Sequence, residues 1–589
     1  MTDFIQIILR SKPKTEKELL GLKRSAAKEA GRPILRNSEI SQEYFRQLRA
    51  GKIKADENLE KLLRKRSVRT LSGVAPVAVL TKPFACPGKC AFCPTEKDVP
   101  KSYLSNEPAV MRAIRNKYNP YEQVRTRLEA LEINGHRPEK IELIIIGGTW
   151  SVLPTAYKFW FIKECFRAAN GFQLKIKNEK LKVKEDKNIY NLKIELNKEQ
   201  KRNEKAKYKI IGITLETRPD YIDEKELIEM RELGATRVEL GVQVVDDRIL
   251  AKNNRGHGVK EIAEATAMLR AFGFKITYHL MPGLPGATAK KDLGLFKKLF
   301  TDERFQPDQI KFYPTVVTKG SKLYQWWRAG KYKPYSEKVL RQLILDCKKS
   351  VPEYVRIIRL IRDIPEESII AGNVITNLRQ VMQQEGVVCR CIRCREARDK
   401  KVFAKDLKLN IQKYSAAGGT EYFISFDSHD GQTLFGFCRL RLPSFCHAPG
   451  QPLLLRNSPS PESLTKDLFC RNADFIQSKF FIAKVKTSRT IDPSRGAQDD
   501  KRIIDEKYSF LNNSALVREL HVYGELVPTG SKKKTQHGGL GKKLLASAEK
   551  IARQNGYNEI AVISGVGVRD YYKKFGYQLK NSYLWKKLV

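Results

Sequence analysis

Cys86-Pro-Gly-Lys-Cys90-Ala-Phe-Cys93-Pro94 holds three cysteines at the spacing C-x3-C-x2-C. Thiolates bind iron, and a cubic iron–sulfur cluster takes one protein ligand per iron. Three closely spaced thiolates therefore leave the fourth iron open, and an open metal position is what catalysis requires, whereas structural sites are closed. A zinc knuckle or three incidental cysteines is the alternative, but zinc motifs usually pair two C-x2-C units and no second pair lies nearby. A second triplet, Cys389-Arg-Cys391-Ile-Arg-Cys394, also has chelating spacing. It suits zinc at a domain junction; with no fourth ligand evident, reduced cysteines packed in a turn are the other reading.

A third chemical signal lies near the C-terminus, in Gln536-His-Gly-Gly539-Leu-Gly541. Glycines let the backbone approach an anion closely, and the free N–H groups of a helix start bind it. A glycine cap on a packing helix would look the same in isolation. Here strand Ala515–Val522 precedes the glycines; strand Ile560–Ser564 and the stretch Val568–Tyr577, a helix ending at glycine, follow.

The elements that must position these groups belong to a chain of 589 residues, long enough for two to four domains. It is 41% hydrophobic and 30% charged, which is a folded composition. Lys plus Arg number 110 against 66 acids, a net charge of +44. Such an excess points to a polyanion, with RNA or DNA ahead of a membrane surface because no basic amphipathic anchor stands out. Six of the 11 cysteines sit in the two triplets, which fits metal sites in a reducing compartment better than a disulfide framework. Phe4–Leu9 is too short for a secretory signal and runs such as Leu143–Ile146 are far too short to span a bilayer. A soluble, cytoplasmic protein is expected.

Residues 1–74 read as short basic helices, and Lys61–Arg69 packs five cations into nine residues, suited to phosphate contacts or to a solvated helix face. Strand-like runs follow at Val77–Leu80, Ile141–Ile146, Ile210–Leu215, Arg237–Val242, Lys275–Leu280 and Gln309–Tyr313, with helical segments between them, including one over Pro108–Asn134. This alternation across residues 75–385 predicts a parallel β/α barrel or partial barrel, with chemistry at the C-terminal strand ends. A Lys/Glu/Asn-rich stretch at about 172–209 reads as an exposed insertion. Residues 386–409 form a cysteine-rich linker, and residues 410–589, opening with antiparallel strands, form the C-terminal domain. Pro449 to about Asn512 reads as irregular and peripheral.

The first cysteine triplet resembles that of radical S-adenosylmethionine enzymes, whose open iron takes the cofactor's amino and carboxylate groups. The C-terminal strand, glycine helix, strand and F-G-Y order resembles the acetyl-coenzyme A fold of GNAT acyltransferases. Together they resemble the catalytic subunit of Elongator and its single-chain microbial relatives. Blocks that carry the likeness from about Arg66 onward include Glu107–Arg115, Tyr118–Gln123, Gly147-Gly148-Thr149, Glu216–Asp220, Glu239–Gln243, Asn254–His257, Arg362–Pro365, Arg518–Gly524 and Ile563–Gly567. The α/β multidomain architecture so implied is a basic helical N-terminal segment, a partial radical-SAM barrel and a GNAT domain. The first cysteine spacing is shorter than in eukaryotic members, and the insertion is longer than the family needs.

The resemblance implies that Cys86, Cys90 and Cys93 hold a [4Fe–4S] cluster. Gly147, Gly148 and Thr149 would meet the S-adenosylmethionine amine, Glu216 the ribose hydroxyls, Arg218 the carboxylate, and Met281–Pro285 the adenine. Lys311 and Tyr313 would lie near the reacting acetyl group. Lys140, Glu519 to Val522 (with Leu520 and His521), Leu540, Gly541, Lys542, Lys543 and Tyr572 would hold acetyl-CoA, and His537 would aid thioester hydrolysis or simply cap its helix. The implied reaction places a carboxymethyl group on C5 of a tRNA wobble uridine: a 5′-deoxyadenosyl radical takes hydrogen from the acetyl methyl, the carbon radical adds to the base, and the thioester is hydrolysed. The anticodon arm would be gripped by the N-terminal cations, with the base leaving its stack; Tyr324, Trp326 and Trp327 are stacking candidates whose spacing equally suits a core. Accessory subunits or a homodimer are compatible with the sequence. Two other functions stay open: a protein lysine acetyltransferase with a structural cluster, and a non-catalytic tRNA and acetyl-CoA scaffold.

Overall fold

A computed structural model describes residues 2–29, 31, 33–64, 73–171, 188–362, 364–374, 378–384, 386, 388–398, 407–443, 507–523 and 539–588. Its centre is a seven-stranded sheet formed by β1 (Ala75–Leu80), β2 (Lys140–Ile146), β3 (Lys209–Thr217), β4 (Arg237–Gln243), β5 (Lys275–Leu280), β6 (Gln309–Phe312) and β7 (Arg356–Arg359). All neighbours are parallel and the strand order is the chain order. Parallel crossovers are right-handed, so a sheet built in sequential order carries every connecting helix on one face and curls around the other. The result is the expected partial barrel, with β7 as a seventh strand that the sequence reading did not mark.

The second sheet is mixed, in the order β13-β14-β12-β11-β10-β9-β8. Its strands are β8 (Lys408–Ser415), β9 (Gly419–Asp427), β10 (Leu434–Pro443), β11 (Ser514–Val522), β12 (Glu559–Val562), β13 (Gln578–Lys580) and β14 (Tyr583–Lys587). Its one parallel pair, β11 with β12, is bridged by the helix Leu540–Gln554. That helix buries Leu544, Leu545, Ala548 and Ala552, the apolar stripe of a helix lying on a sheet.

The two sheets share a core. Leu516, Ala561 and Tyr583 of the second belong to the same buried cluster as Ile210, Val238 and Ile276 of the first. The contact falls at the N-terminal ends of the barrel strands, where glycine is required: a Cβ on Gly565 would run into the Ile211 carbonyl, and one on Gly567 would lie 3.0 Å from Ile210 N. Asp308, at the foot of β6, accepts from Arg518 of β11 (Nη2–Oδ1 2.6 Å, Nη1–Oδ2 2.8 Å) and lies 3.4 Å from Arg439 of β10.

The N-terminal helices Thr2–Ser11, Glu16–Glu29, Asn37–Arg49 and Glu57–Leu63 pack around their own core of Ile8, Leu19, Ile40, Tyr44, Leu59 and Leu63. Glu60 fastens them to the barrel by pairing with Arg137 at 2.5 Å.

Three sequence expectations are corrected. The helix expected over Pro108–Asn134 is two, Pro108–Arg115 and Pro120–Ile133, because Lys117 and Tyr118 take positive φ and the Asn119 side chain caps the second. The stretch read as an exposed insertion contains a 15-residue helix, Ile189–Asn203, capped by Asn188 and buried through Leu192 and Leu196 against the helix Thr155–Gly171. Its acids do structural work: Glu199 bonds Asn170. Lysine and glutamate content masked a short apolar stripe. Phe510 and Leu511, within the stretch read as peripheral, are likewise buried.

Candidate active site

A parallel strand covered by helices is apolar on both faces, yet the barrel's inner face is charged. Alternate residues of adjacent strands place Arg237 and Glu239 of β4, Thr277 and His279 of β5, and Gln309 and Lys311 of β6 side by side. Glu239 is the hub. Its carboxylate accepts from His279 Nε2 at 2.8 Å and pairs with Lys311 Nζ, while Arg237 lies 3.9 Å away. Burial alone would raise the Glu239 carboxyl, but Lys311, His279 and Arg237 outweigh it and hold the group well below the usual carboxylate range. Burial likewise opposes the charge on Lys311, and Glu239 more than restores it. Both members of the pair are thus ionised inside the barrel.

Toward the C-terminal strand ends, His279 Nδ1 lies 3.6 Å from Glu216, which also accepts from Tyr103 at 2.8 Å. The Tyr313 ring stands edge-on to His279 with centroids 5.1 Å apart. Arg362 covers the Tyr103 ring at 5.1 Å and pairs with Glu107 at 2.9 Å, closing this side of the mouth.

The cysteine loop crosses the same end. Ala91 donates to the Asn253 carbonyl and accepts from Leu323 N, which pins the loop to two neighbours. Cys90 is buried, Cys86 and Cys93 half-buried. The Cys90 thiol is drawn down to about 5, first by the hydrogen bond from Cys93, against burial, and further by Arg255 and Arg218. Arg255 Nη1 lies 3.2 Å from Cys90 Sγ and Arg218 Nη1 lies 3.9 Å away. Three cysteines on one loop, with cations beside a sulfur, fit an iron–sulfur cluster, because the thiolate set carries net negative charge.

Gly147 and Gly148 follow β2 with φ of 134° and 100°, a conformation open to glycine, and a Cβ on Gly147 would strike the Thr81 hydroxyl. A Cβ on Gly148 would lie 3.8 Å from the carbonyl of Lys101, whose Nζ donates to Gly88 of the cysteine loop at 2.8 Å. Arg218, expected to meet a carboxylate, is held by Asp220 (3.0 and 2.7 Å) and by the Arg255 carbonyl (2.8 Å).

At the opposite end of the barrel lies a cavity of about 480 Å³ between the two sheets. Lys140, Lys275, Glu519, Leu520, His521, Val522, Gly541, Lys542, Tyr571 and Tyr572 are among its walls. Lysines and a glycine-led helix start make its lining basic, suited to phosphate groups. Burial lowers the Lys140 ammonium from its ordinary value. Glu519 bonds Arg439 Nε at 3.0 Å and Lys275 at 3.4 Å. Burial would raise its carboxyl, but Lys275 and Arg439 prevail and hold it at about 2.

Of the expected acetyl-CoA contacts, Lys140, Glu519 to Val522, Gly541, Lys542 and Tyr572 gather at this cavity. Leu540 is instead buried in the helix core, and Lys543 is exposed and not part of the wall. His537 lies outside the described residues, as do Lys65 to Arg69 of the basic run. Tyr324, Trp326 and Trp327 are partly buried against the main core.

Cys389, Cys391 and Cys394 have sulfurs all within 4.8 Å of one another. Hydrogen bonds from Cys389 and Cys394 hold the Cys391 thiol well below its ordinary value, and Arg379 approaches Cys394 Sγ at 3.8 Å. Such proximity matches thiolates sharing one metal ion.

The sequence reading gave no role to Tyr103, Asp220, Glu239, Arg255, Lys275 or His279, although Asp220 and Glu239 also stand in blocks it noted. Polar residues at every second position of otherwise apolar strands were the available signal for Glu239 and His279. Arg255 sits in a block that was noted without a role.

Comparison with known proteins gives likenesses over most of the chain. Residues 83–298 match the Radical SAM superfamily and residues 307–386 the Radical_SAM C-terminal domain. The tRNA uridine(34) acetyltransferase of Dehalococcoides mccartyi is 39% identical over 533 residues, covering 89% of this chain and 100% of the relative. Human Elongator complex protein 3 is 34% identical, covering 89% of this chain and 86% of that protein. The solved structure of the archaeal Methanocaldococcus infernus Elp3 with an N-terminal deletion superposes with a TM-score of 0.64 at 34% identity, over 88% of this chain and all of that one. Among the described residues no helix is long and apolar enough to cross a membrane.

Proposed function

As the chain belongs to the family of Elongator complex protein 3 and the tRNA uridine(34) acetyltransferases, we propose that it attaches a carboxymethyl group, drawn from acetyl-CoA, to C5 of the wobble uridine of tRNA. The observation that carries this reading is one barrel with a cysteine triplet at its C-terminal mouth, a basic cavity of about 480 Å³ at its N-terminal end, and charged side chains between them. A cluster held by Cys86, Cys90 and Cys93, together with S-adenosylmethionine, supplies when bound the one-electron chemistry needed to activate an inert methyl C–H bond.

The residues of this chain do the binding and orienting. Gly147, Gly148 and Thr149 offer backbone groups to the cofactor amine, and Glu216, steadied by Tyr103 and His279, offers a carboxylate oxygen to its ribose. Lys140, Lys542 and the helix start at Leu540 hold the anionic part of acetyl-CoA. Lys311, kept cationic by Glu239, presents Nζ to the acetyl carbonyl oxygen and polarises it inside the barrel, where a fixed charge acts more strongly than in water. Tyr313 and His279 wall the same chamber against solvent. The N-terminal helices bind the anticodon arm through phosphate contacts. Cys389, Cys391 and Cys394 hold a structural zinc where the barrel meets the second sheet, a GNAT-type acyl-CoA unit. Nine free cysteines among the described residues suit a reducing cytoplasm.

Glu519 does not suit the role of general base in lysine acetylation. A general base for an amine needs a pKa near the working pH, whereas this carboxylate is held at about 2 by Lys275 and Arg439.

The test is an anaerobic incubation of the reconstituted full chain with tRNA, acetyl-CoA, S-adenosylmethionine and dithionite, followed by nucleoside mass spectrometry. Carboxymethyluridine is expected from the wild-type chain and not from Cys90→Ala. Acetyl-lysine formed on protein by both, without modified uridine, overturns the reading.

A further inference from the structure

Arg255 occupies a position that neither binding nor chemistry at the acetyl group uses. It follows Asn254 (φ 53°) and precedes Gly256 (φ 76°), two left-handed residues that fold the loop back toward the cysteine turn. It is 5% exposed. Its guanidinium spans two anchors: Nη2 donates to the Gly241 carbonyl at the end of β4, and Nη1 points at Cys90 Sγ at 3.2 Å. The fit is tight, since a Cβ on Gly241 would lie 2.6 Å from Arg255 Nη2.

A second guanidinium is nearby, but its charge is answered. Arg218 is paired with Asp220 at 2.7 Å, and Asp220 also meets His257 Nδ1 at 3.2 Å. Among the described residues no carboxylate pairs with Arg255. Its own backbone carbonyl accepts from Arg218 Nη2 at 2.8 Å, which ties the Arg218 side chain to the Arg255 loop. A buried cation with no carboxylate partner among the described residues therefore points its N–H at one cysteine sulfur of the triplet.

Reduction adds negative charge to a cluster, and hydrogen bonds and positive charge at its sulfurs favour the reduced form. We propose that Arg255 sets the reduction potential of the cluster by donating to the Cys90 sulfur, holding the potential higher than the thiolate set alone would give. Arg255 is a positioning and tuning residue, acting through Cys90. The inference rests on the cluster reading above. It concerns an electron-accepting property of the bound group and can be read without any turnover.

The experiment is a redox titration, followed by electron paramagnetic resonance, of the anaerobically reconstituted full chain without S-adenosylmethionine or tRNA. Arg255→Gln, which keeps polarity and removes the charge, is expected to reduce at a lower potential than wild type at equal iron and sulfide content. Arg255→Lys, which keeps the charge, is expected to fall between them. Equal midpoints for wild type and Arg255→Gln overturn the inference while leaving the cluster reading intact; a wild-type chain that binds no cluster sinks that reading instead. Should Arg255→Gln fail to hold a cluster, Gly241→Ala decides, because it keeps every charge and ligand but pushes the guanidinium off its anchor. A lowered midpoint in Gly241→Ala supports the inference, and an unchanged one overturns it.

Discussion

Arg518 of the second sheet grips both carboxylate oxygens of Asp308 at the foot of barrel strand β6, at 2.6 and 2.8 Å, and all of the charged atoms are fully buried. Arg270 and Arg439 also face Asp308, while Glu421 takes Arg270, Arg441 and Arg518. Burial would raise the Asp308 carboxyl, but the three guanidiniums win and hold it far below the usual range. The strand that carries Arg518 also carries Glu519 into the wall of the basic cavity, so the network fixes that wall relative to the barrel.

Asp308→Asn leaves three buried guanidiniums short of a counter-charge. Breaking a buried pair from one side costs about 3–5 kcal/mol, so the variant is expected to unfold at markedly lower urea concentration than wild type. Asp308→Glu, which keeps the charge but not the fit, is expected to lie between them.

Glu519 gives a pH signature. Its folded carboxyl sits at about 2 against an ordinary 4.5, so its contribution is present above pH 4.5 and is lost as pH falls toward 2. That contribution is about 3 kcal/mol. The stability gap between wild type and Glu519→Gln, measured by denaturant unfolding, is expected to be widest at pH 5–7 and to narrow steadily toward pH 2.5. A gap that does not vary over that range contradicts the pairing with Lys275 and Arg439.

Lys311 lies in the barrel interior, away from the residues that wall the cavity. Lys311→Met is therefore expected to lower uridine modification about 100-fold or more while acetyl-CoA affinity, read by calorimetry, and iron content stay as in wild type. Glu239→Gln is expected to lower activity in the same direction, since Lys311 then loses the partner that keeps it charged.

Metal analysis separates the two cysteine triplets. The wild-type chain is expected to carry one zinc in addition to cluster iron. Cys391→Ser is expected to lose the zinc and keep the iron, and Cys90→Ala the reverse. A chain that holds no zinc after expression in zinc-supplied medium removes the structural-metal reading.

Much of the architecture was legible because local pattern carries it. Apolar runs such as Ile141–Ile146 and Ile210–Leu215, separated by helical segments, permit little besides a parallel sheet, and right-handed crossovers then fix its curl. The cysteine triplets and Gly147-Gly148 were legible because ligand spacing and positive φ are properties of neighbouring residues. Even so, Ile189–Asn203 was misread, since a helix with few buried leucines resembles a charged insertion until its packing partner is known.

The sequence by itself determined which groups could do chemistry: three thiols for iron, three more for zinc, a glycine-led helix start, and a basic surplus for RNA. Only the tertiary structure decided how they relate. Glu239 meets Lys311, which lies 72 residues away, Arg255 reaches Cys90 across 165, and Arg518 meets Asp308 across 210. Pairings at such separation depend on strand order and register, which bring one face of each strand together, and a linear pattern names the faces without saying what stands opposite.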